Sequence, residues 1–183
     1  VERLLSELDS TRPAPREPHP AALDDETLLK HCEWTRSRDG GPGGQHRNKV
    51  ETAVTIVHTA TGISAKAGER RTVRENKPVA IRRLRLLLAT RHRAAVPAGE
   101  CRSELWRSRI QKGRIVLSTS HRDFPSMLAE ALDVIEACGL DPKKAGVRLG
   151  CSATQLVRLV KDHPPAFASL NEKRTAAGMH ALR

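Results

Sequence analysis

Tyrosine is absent from this 183-residue chain, and the remaining aromatics, Trp34, Trp106, Phe124 and Phe167, make up only 2% of it. A core must therefore be built from Leu, Val, Ile and Ala. Sheets and clamps that hold single-stranded nucleic acid by stacking bases on aromatic rings are disfavoured. Cysteine is sparse: Cys32, Cys101, Cys138 and Cys151 include no C-x-x-C pair and make no zinc pattern. No secretory leader is read at the start of the sequence, so reduced thiols and a cytoplasmic location are expected. No apolar run approaches the roughly 20 residues of a membrane span, so no membrane partner is expected. Hydrophobic residues still reach 38%, enough for a core, which excludes a wholly disordered chain.

Charge is abundant but uneven. Residues 1–35 carry 4 basic and 8 acidic side chains, 36–114 carry 19 and 6, and 115–183 carry 9 and 7, within a total of +11. The excess sits in the middle stretch and points to a polyanionic partner there. Arg outnumbers Lys by 23 to 9, and Arg forks suit bidentate phosphate contacts.

The chain reads as α+β. Residues 1–22, broken by Pro13, Pro15, Pro18 and Pro20, are expected as a flexible lead-in. Asp24 is placed to cap a short helix carrying Leu28 and Leu29. A strand is predicted over Glu33–Arg38. Four glycines in Asp39-Gly40-Gly41-Pro42-Gly43-Gly44-Gln45 then call for an exposed loop. Val50–His58 and Ile63–Ala67 read as a hairpin about Thr59-Ala60-Thr61-Gly62. After the basic run Arg70–Arg74, a helix opening near Pro78 buries Ala80, Ile81, Leu84 and Leu88 and exposes Arg82, Arg83 and Arg85.

Residues 23–95 thus form a small sheet packed on a helix, and Val96-Pro97-Ala98-Gly99 is the best linker. Residues 101–183 read as a helical module. Its helices are predicted over Ser103–Lys112, Pro125–Cys138, Pro142–Leu149, Ala153–Asp162 and Pro165–Ala177. Ser152 and Gln155 are spaced as a capping box, and Ile115–Leu117 as a short strand.

The string Gly40-Gly41-Pro42-Gly43-Gly44-Gln45-His46-Arg47-Asn48-Lys49-Val50-Glu51-Thr52-Ala53-Val54 resembles the catalytic domain of class I peptide chain release factors. The resemblance continues through Thr61-Gly62-Ile63, Glu69-Arg70-Arg71 and Asn76-Lys77 into the Leu/Arg helix, over about residues 31–92. The family pattern has Ser and Gln after the Arg that here is Arg70, whereas this chain has Arg71 and Thr72. The resemblance implies hydrolysis, on the ribosome, of the ester joining a nascent peptide to P-site tRNA. Its catalytic residues would be Gly43, Gly44 and Gln45, and its partners large-subunit ribosomal RNA and the peptidyl-tRNA.

The residue types suit that chemistry. Gly43 and Gly44 let bare backbone approach a buried ester. An amide aimed at the developing oxyanion is worth about 2.7–4 kcal/mol in well-studied enzymes, and the resemblance assigns this role to the Gln45 amide. The Gln45 side chain, both donor and acceptor, can position water without acting as a strong base. His46 has no carboxylate partner within the loop and reads better as an RNA-facing or hairpin-packing residue than as a general base. A self-contained hydrolase would need an activated nucleophile or a metal. None is read here and no cofactor is expected, so the remaining machinery would be ribosomal RNA. Arg36, Arg38, Arg47, Lys49, Arg70, Arg71, Arg74 and Lys77 are candidate phosphate contacts. Asn48 would brace the loop base, and Trp34 would pack into the core beneath the hairpin.

Only about 30 residues precede the motif, too few for a stop-codon-reading domain. The expectation is a monomeric, codon-independent rescue factor similar to those of the ArfB type. Those factors carry a strongly basic disordered tail, whereas residues 115–183 are nearly neutral and rich in Leu at helical spacing. Pro142–Asp162 resembles a helix-turn-helix bearing Lys143, Lys144, Arg158 and Lys161. Two readings stand, a nucleic-acid binder or a small bundle packed on the catalytic domain or a partner. The low net charge favours the bundle. A non-catalytic RNA-binding protein that keeps the release-factor fold is the remaining alternative.

Overall fold

Asp24 opens the first helix as its position predicts, accepting the Thr27 amide at 2.9 Å. The computed structural model describes residues 18–38 and 51–183. Helix α1 (Asp25–Lys30) leads directly into β1 (Cys32–Ser37), one residue earlier than predicted. β1 pairs antiparallel with β2 (Ala53–His58), and β2 with β3 (Ser64–Ala67), in the order β1-β2-β3. Gly62 takes φ 67° in the turn between β2 and β3, a left-handed conformation that glycine adopts without a Cβ penalty. Val54 and Ile56 alternate inward and are fully buried.

Helix α2 (Val73–Arg91) packs on β2 and β3 and buries Ala80, Ile81, Leu84 and Leu88 as predicted. It starts five residues before Pro78, because Thr72 caps it. The Thr72 hydroxyl accepts the Glu75 amide at 3.2 Å and donates to the Glu75 carboxylate at 2.8 Å. Thr-x-x-Glu is the capping-box spacing, and this signal was available in the sequence. Pro78, inside the helix, denies a bond only to the Arg74 carbonyl.

Of the three arginines expected outside, only Arg83 is exposed, in a fork on the Glu69 carboxylate at 2.7 and 3.1 Å. Arg85, with its side chain 11% exposed, donates to the Ala21 carbonyl and to Asp25, both at 2.7 Å. Arg82 donates to the Thr119 and His121 carbonyls. A guanidinium on a long stem can leave its helix and tie down neighbouring backbone.

The Arg85 contact helps anchor the described end of the lead-in. A 3-10 turn over Pro20–Ala22 fully buries Ala21, and His19 accepts the Ala21 amide at 3.0 Å.

The helical half follows as α3 (Glu104–Arg109), a two-stranded hairpin of β4 (Ile110–Gln111) and β5 (Arg114–Ile115), α4 (Phe124–Ala137), α5 (Pro142–Leu149), α6 (Ala153–Lys161) and α7 (Pro164–Ala176). α5 matches its prediction residue for residue, and the others match within a turn. The strand predicted at Ile115–Leu117 is instead paired at Arg114–Ile115. α4 is packed on both α2 and α5, and one buried apolar cluster runs from Ala21 through Leu84 and Leu88 to Leu156 and Leu170. Trp106, fully buried, donates its indole N–H to the Leu149 carbonyl at 2.8 Å and locks α3 to the end of α5.

The residues on either side of the stretch expected as a linker are held by two acids of α4. The Asp133 carboxylate accepts the Ala94 amide at 3.2 Å and the Arg93 guanidinium at 3.0 Å. Glu130 accepts the Ser103 amide at 2.8 Å and hydroxyl at 2.6 Å. Between them, Arg148 donates to the Pro97 carbonyl.

Candidate functional site

The glycine-rich segment is carried at one end of the three-stranded sheet. β1 leaves the ladder after Ser37, β2 enters it at Ala53, and these two residues are register partners. Residues 38–52 therefore start and finish side by side. The expected catalytic residues Gly43, Gly44 and Gln45, with His46, Arg47, Asn48 and Lys49, lie outside the described residues.

The surroundings of that sheet end are described, and most of the predicted cations meet there. Arg36 is paired with Val54, one step from the point of departure. Arg38 faces Glu51 across the gap at 3.8 Å, joining the two stems with an exposed pair worth at most about 1 kcal/mol.

Trp34 departs from expectation. It is 38% exposed, not core. β1 is an edge strand, and its ring closes the border of the core without entering it. The Lys77 ammonium lies 4.8 Å from the ring centroid and the Arg36 guanidinium 5.4 Å, each within cation–π range. The ring thus brings together two of the predicted phosphate contacts, one from β1 and one from α2. Arg70, Arg71 and Arg74 are exposed beside the start of α2, and none of the three has an ion pair among the described residues.

Asn76 is the residue that residue-type reasoning passed over. Fully buried, its side-chain carbonyl accepts the Arg70 amide at 2.9 Å, while its NH2 donates to the Thr52 carbonyl at 2.7 Å and the Arg70 carbonyl at 3.0 Å. One amide therefore fixes the returning stem, the basic run and the first turns of α2. The signal was its place in the resemblance, a polar residue at an otherwise core-facing helix position.

Glu69 supports the same corner. Hydrogen bonds from its own amide and that of Gly68, with Arg83 behind them, hold its carboxyl below the usual carboxylate range. It therefore stays ionised as the counter-charge that orients Arg83. Among the described residues no group of three or more His, Cys, Asp or Glu is placed to hold a metal. Chemically, this end of the sheet can grip phosphates and present a short segment held at both stems.

The RF-1 domain family model matches residues 26–123. Peptide chain release factor 1 of Acidiphilium cryptum is 37% identical over 117 residues, covering 55% of this chain and 33% of that protein. Peptide chain release factor 1 of Xylella fastidiosa is 31% identical over 134 residues, 67% of this chain and 36% of its own length. A peptide chain release factor homolog of Escherichia coli is 48% identical over 52 residues, 28% of this chain and 24% of its own. The chain spans about a third of the length of the release factors 1 it matches. The sheet, its basic corner and α2 all fall within the matched residues, and on that basis the chain belongs to the RF-1 domain family, that of the class I release-factor catalytic domain.

Proposed function

We propose that this protein releases nascent peptides on the ribosome by hydrolysing the peptidyl-tRNA ester, and that it does so without reading a codon, as a rescue factor. The observation that carries the reading is the family match over residues 26–123, which contains the intact Gly43-Gly44-Gln45 between two paired stems.

In this mechanism the exposed cations Arg36, Arg38, Arg70, Arg71 and Arg74, with the half-buried Lys77, hold ribosomal RNA phosphates, so the sheet end is docked before chemistry. Arg47 and Lys49 extend that contact along the segment itself. Gly43 and Gly44 allow bare backbone to approach the ester, and the Gln45 amide donates to the oxyanion that forms when water attacks the ester carbonyl. The Gln45 side chain orients that water. As the oxyanion collapses, the bond between the ester carbonyl carbon and the tRNA ribose oxygen breaks. The departing ribose oxygen takes up the proton that the attacking water gives up, relayed through ribosomal RNA or the neighbouring ribose hydroxyl.

The test is peptide release from purified ribosomes holding a P-site peptidyl-tRNA, on a message ending at the P site and on one extending well past it. Wild-type protein is expected to release peptide on the truncated message with no stop codon. Gly44→Ala, whose methyl group obstructs the close approach, is expected to lose at least about 100-fold in rate. Equal release on both messages would retain the hydrolase but remove the rescue role. No release on either, despite tight ribosome binding, would replace the enzyme with a binding protein.

A further inference from the structure

The helical half holds a second cationic surface, which its near-neutral net charge conceals. Most of its acids are used internally. Asp123 pairs with Arg109, Glu130 holds Ser103, Asp133 holds Arg93 and Ala94, Glu136 pairs with Lys173, and Asp141 caps α5. Lys112, Arg114, Lys143, Arg158 and Lys161 have no ion pair among the described residues. The segregation leaves a surface far more basic than the segment's sum.

These cations belong to one construction. α5 and α6 are joined by Gly150-Cys151-Ser152, with Gly150 left-handed at φ 69°, a turn length and residue found in helix-turn-helix units. Gly146 allows the tight closure, since a Cβ there would stand 2.7 Å from the Cys151 carbonyl oxygen. α6 buries Leu156, Leu159 and Val160 and turns Thr154, Arg158 and Lys161 outward. On one flank, these three and Lys143 of α5 line a groove of about 670 Å³ together with Arg174, Arg183 and the Asp141 carboxylate that caps α5.

On the other flank stands the β4–β5 hairpin. The Gln155 side chain accepts the Ile115 amide at 2.6 Å and donates to the Gly113 carbonyl at 3.1 Å. The sequence suggested a reciprocal capping box with Ser152. In the structure Ser152 caps α6, while the Gln155 amide is used to pin the hairpin, which carries Lys112 and Arg114 beside α6.

We propose that α5, α6 and the β4–β5 hairpin form a binding surface for double-helical RNA, gripped through its phosphates. Gln155, the residue of α6 best able to grip an adenine edge, is consumed internally, and the outward strip of Thr154, Arg158 and Lys161 offers a hydroxyl and two cations, groups that serve phosphate oxygens. Recognition by phosphate position and helix shape suits A-form RNA, whose deep major groove side chains cannot read. The choice of RNA over DNA rests on the ribosomal reading above.

The experiment is a fluorescence-anisotropy titration of the full chain with a labelled 20-base-pair RNA duplex at several salt concentrations. A DNA duplex of the same sequence and a single-stranded RNA serve as competitors. The RNA duplex is expected to bind more tightly than either competitor. Arg158→Gln/Lys161→Gln and Lys112→Gln/Arg114→Gln should each weaken binding about tenfold and lower the salt slope by roughly 1–2, with thermal melts matching the parent. Gln155→Ala, which keeps every charge but releases the hairpin, should weaken binding by a smaller factor.

Unchanged affinity in both charge variants, or a preference for DNA, would overturn the proposal. Peptide release is scored in parallel. Release without duplex binding would defeat this inference alone, and RNA-duplex binding without release would defeat the hydrolase reading alone.

Discussion

Asn76 shows how much one buried amide can decide. Its three bonds to Arg70 and Thr52 satisfy backbone groups that would otherwise be stranded at a turn. Asn76→Ala should cost about 3 kcal/mol, the usual order for orphaning several buried polar groups, and a urea melt checks it. Because Thr52 begins the return from the glycine-rich segment, the same variant should also slow peptide release at temperatures where it remains folded. Trp34 makes the complementary point. Its apolar character suggested core, but a strand's burial depends on its place in the sheet, and an edge position leaves the ring as a platform under Lys77 and Arg36. The candidate site residues could be named from the motif. Their grouping around Trp34 and Asn76 was not, because it depends on which strand lies at the edge and where α2 begins.

At the scale of elements, α4 is the centre of the helical half. It is apolar on nearly every side, yet it carries Glu130 and Asp133 inward, each bonded to the segment that crosses from α2 to α3. Removing Arg93 takes a guanidinium from beside the buried Asp133 carboxylate. Arg93→Ala should therefore lower stability by about 3 kcal/mol, and Arg93→Ala/Asp133→Asn should recover part of that loss, since Asn can still accept the Ala94 amide. Equal stabilities of the single and double variants in denaturant melts would show that the ion pair is not what holds the segment. Periodicity located α4 to within a residue and α5 without error. It could not show that acids inside α4 are structural, because a sequence pattern does not reveal which distant backbone amides arrive beside them.

Across the whole molecule, the buried His58 and the half-buried His163 contribute to the response to acid. Burial, aided by the nearby His31 and His92, lowers the pKa of His58 below its ordinary value of 6.5, and burial lowers that of His163. A histidine with a depressed folded pKa binds its proton more readily in the unfolded chain. Its stabilising contribution is complete above about pH 6.5 and declines as pH falls toward the folded value. The melting temperature should hold from pH 8 to 7 and drop between pH 6.5 and 5, and His58→Gln should flatten part of that limb. A melting temperature constant over that range would show that these histidines titrate alike in both states.

The sequence alone was enough for the α+β class, the order of the main elements and the family, and it nominated the Gly-Gly-Gln segment as the candidate site. These depend on local spacing: alternation in strands, 3.6-residue periodicity in helices, glycines where only glycine fits, and a motif read in one stretch. Tertiary structure decided the placement of charge. It showed which arginines are spent on internal carbonyls, which acids are spent on partners within the fold, and that the cations of α5, α6 and the hairpin are exposed with no ion pair among the described residues. Net charge sums over a segment, whereas a polyanion meets only the charges that the fold leaves unpaired on one face.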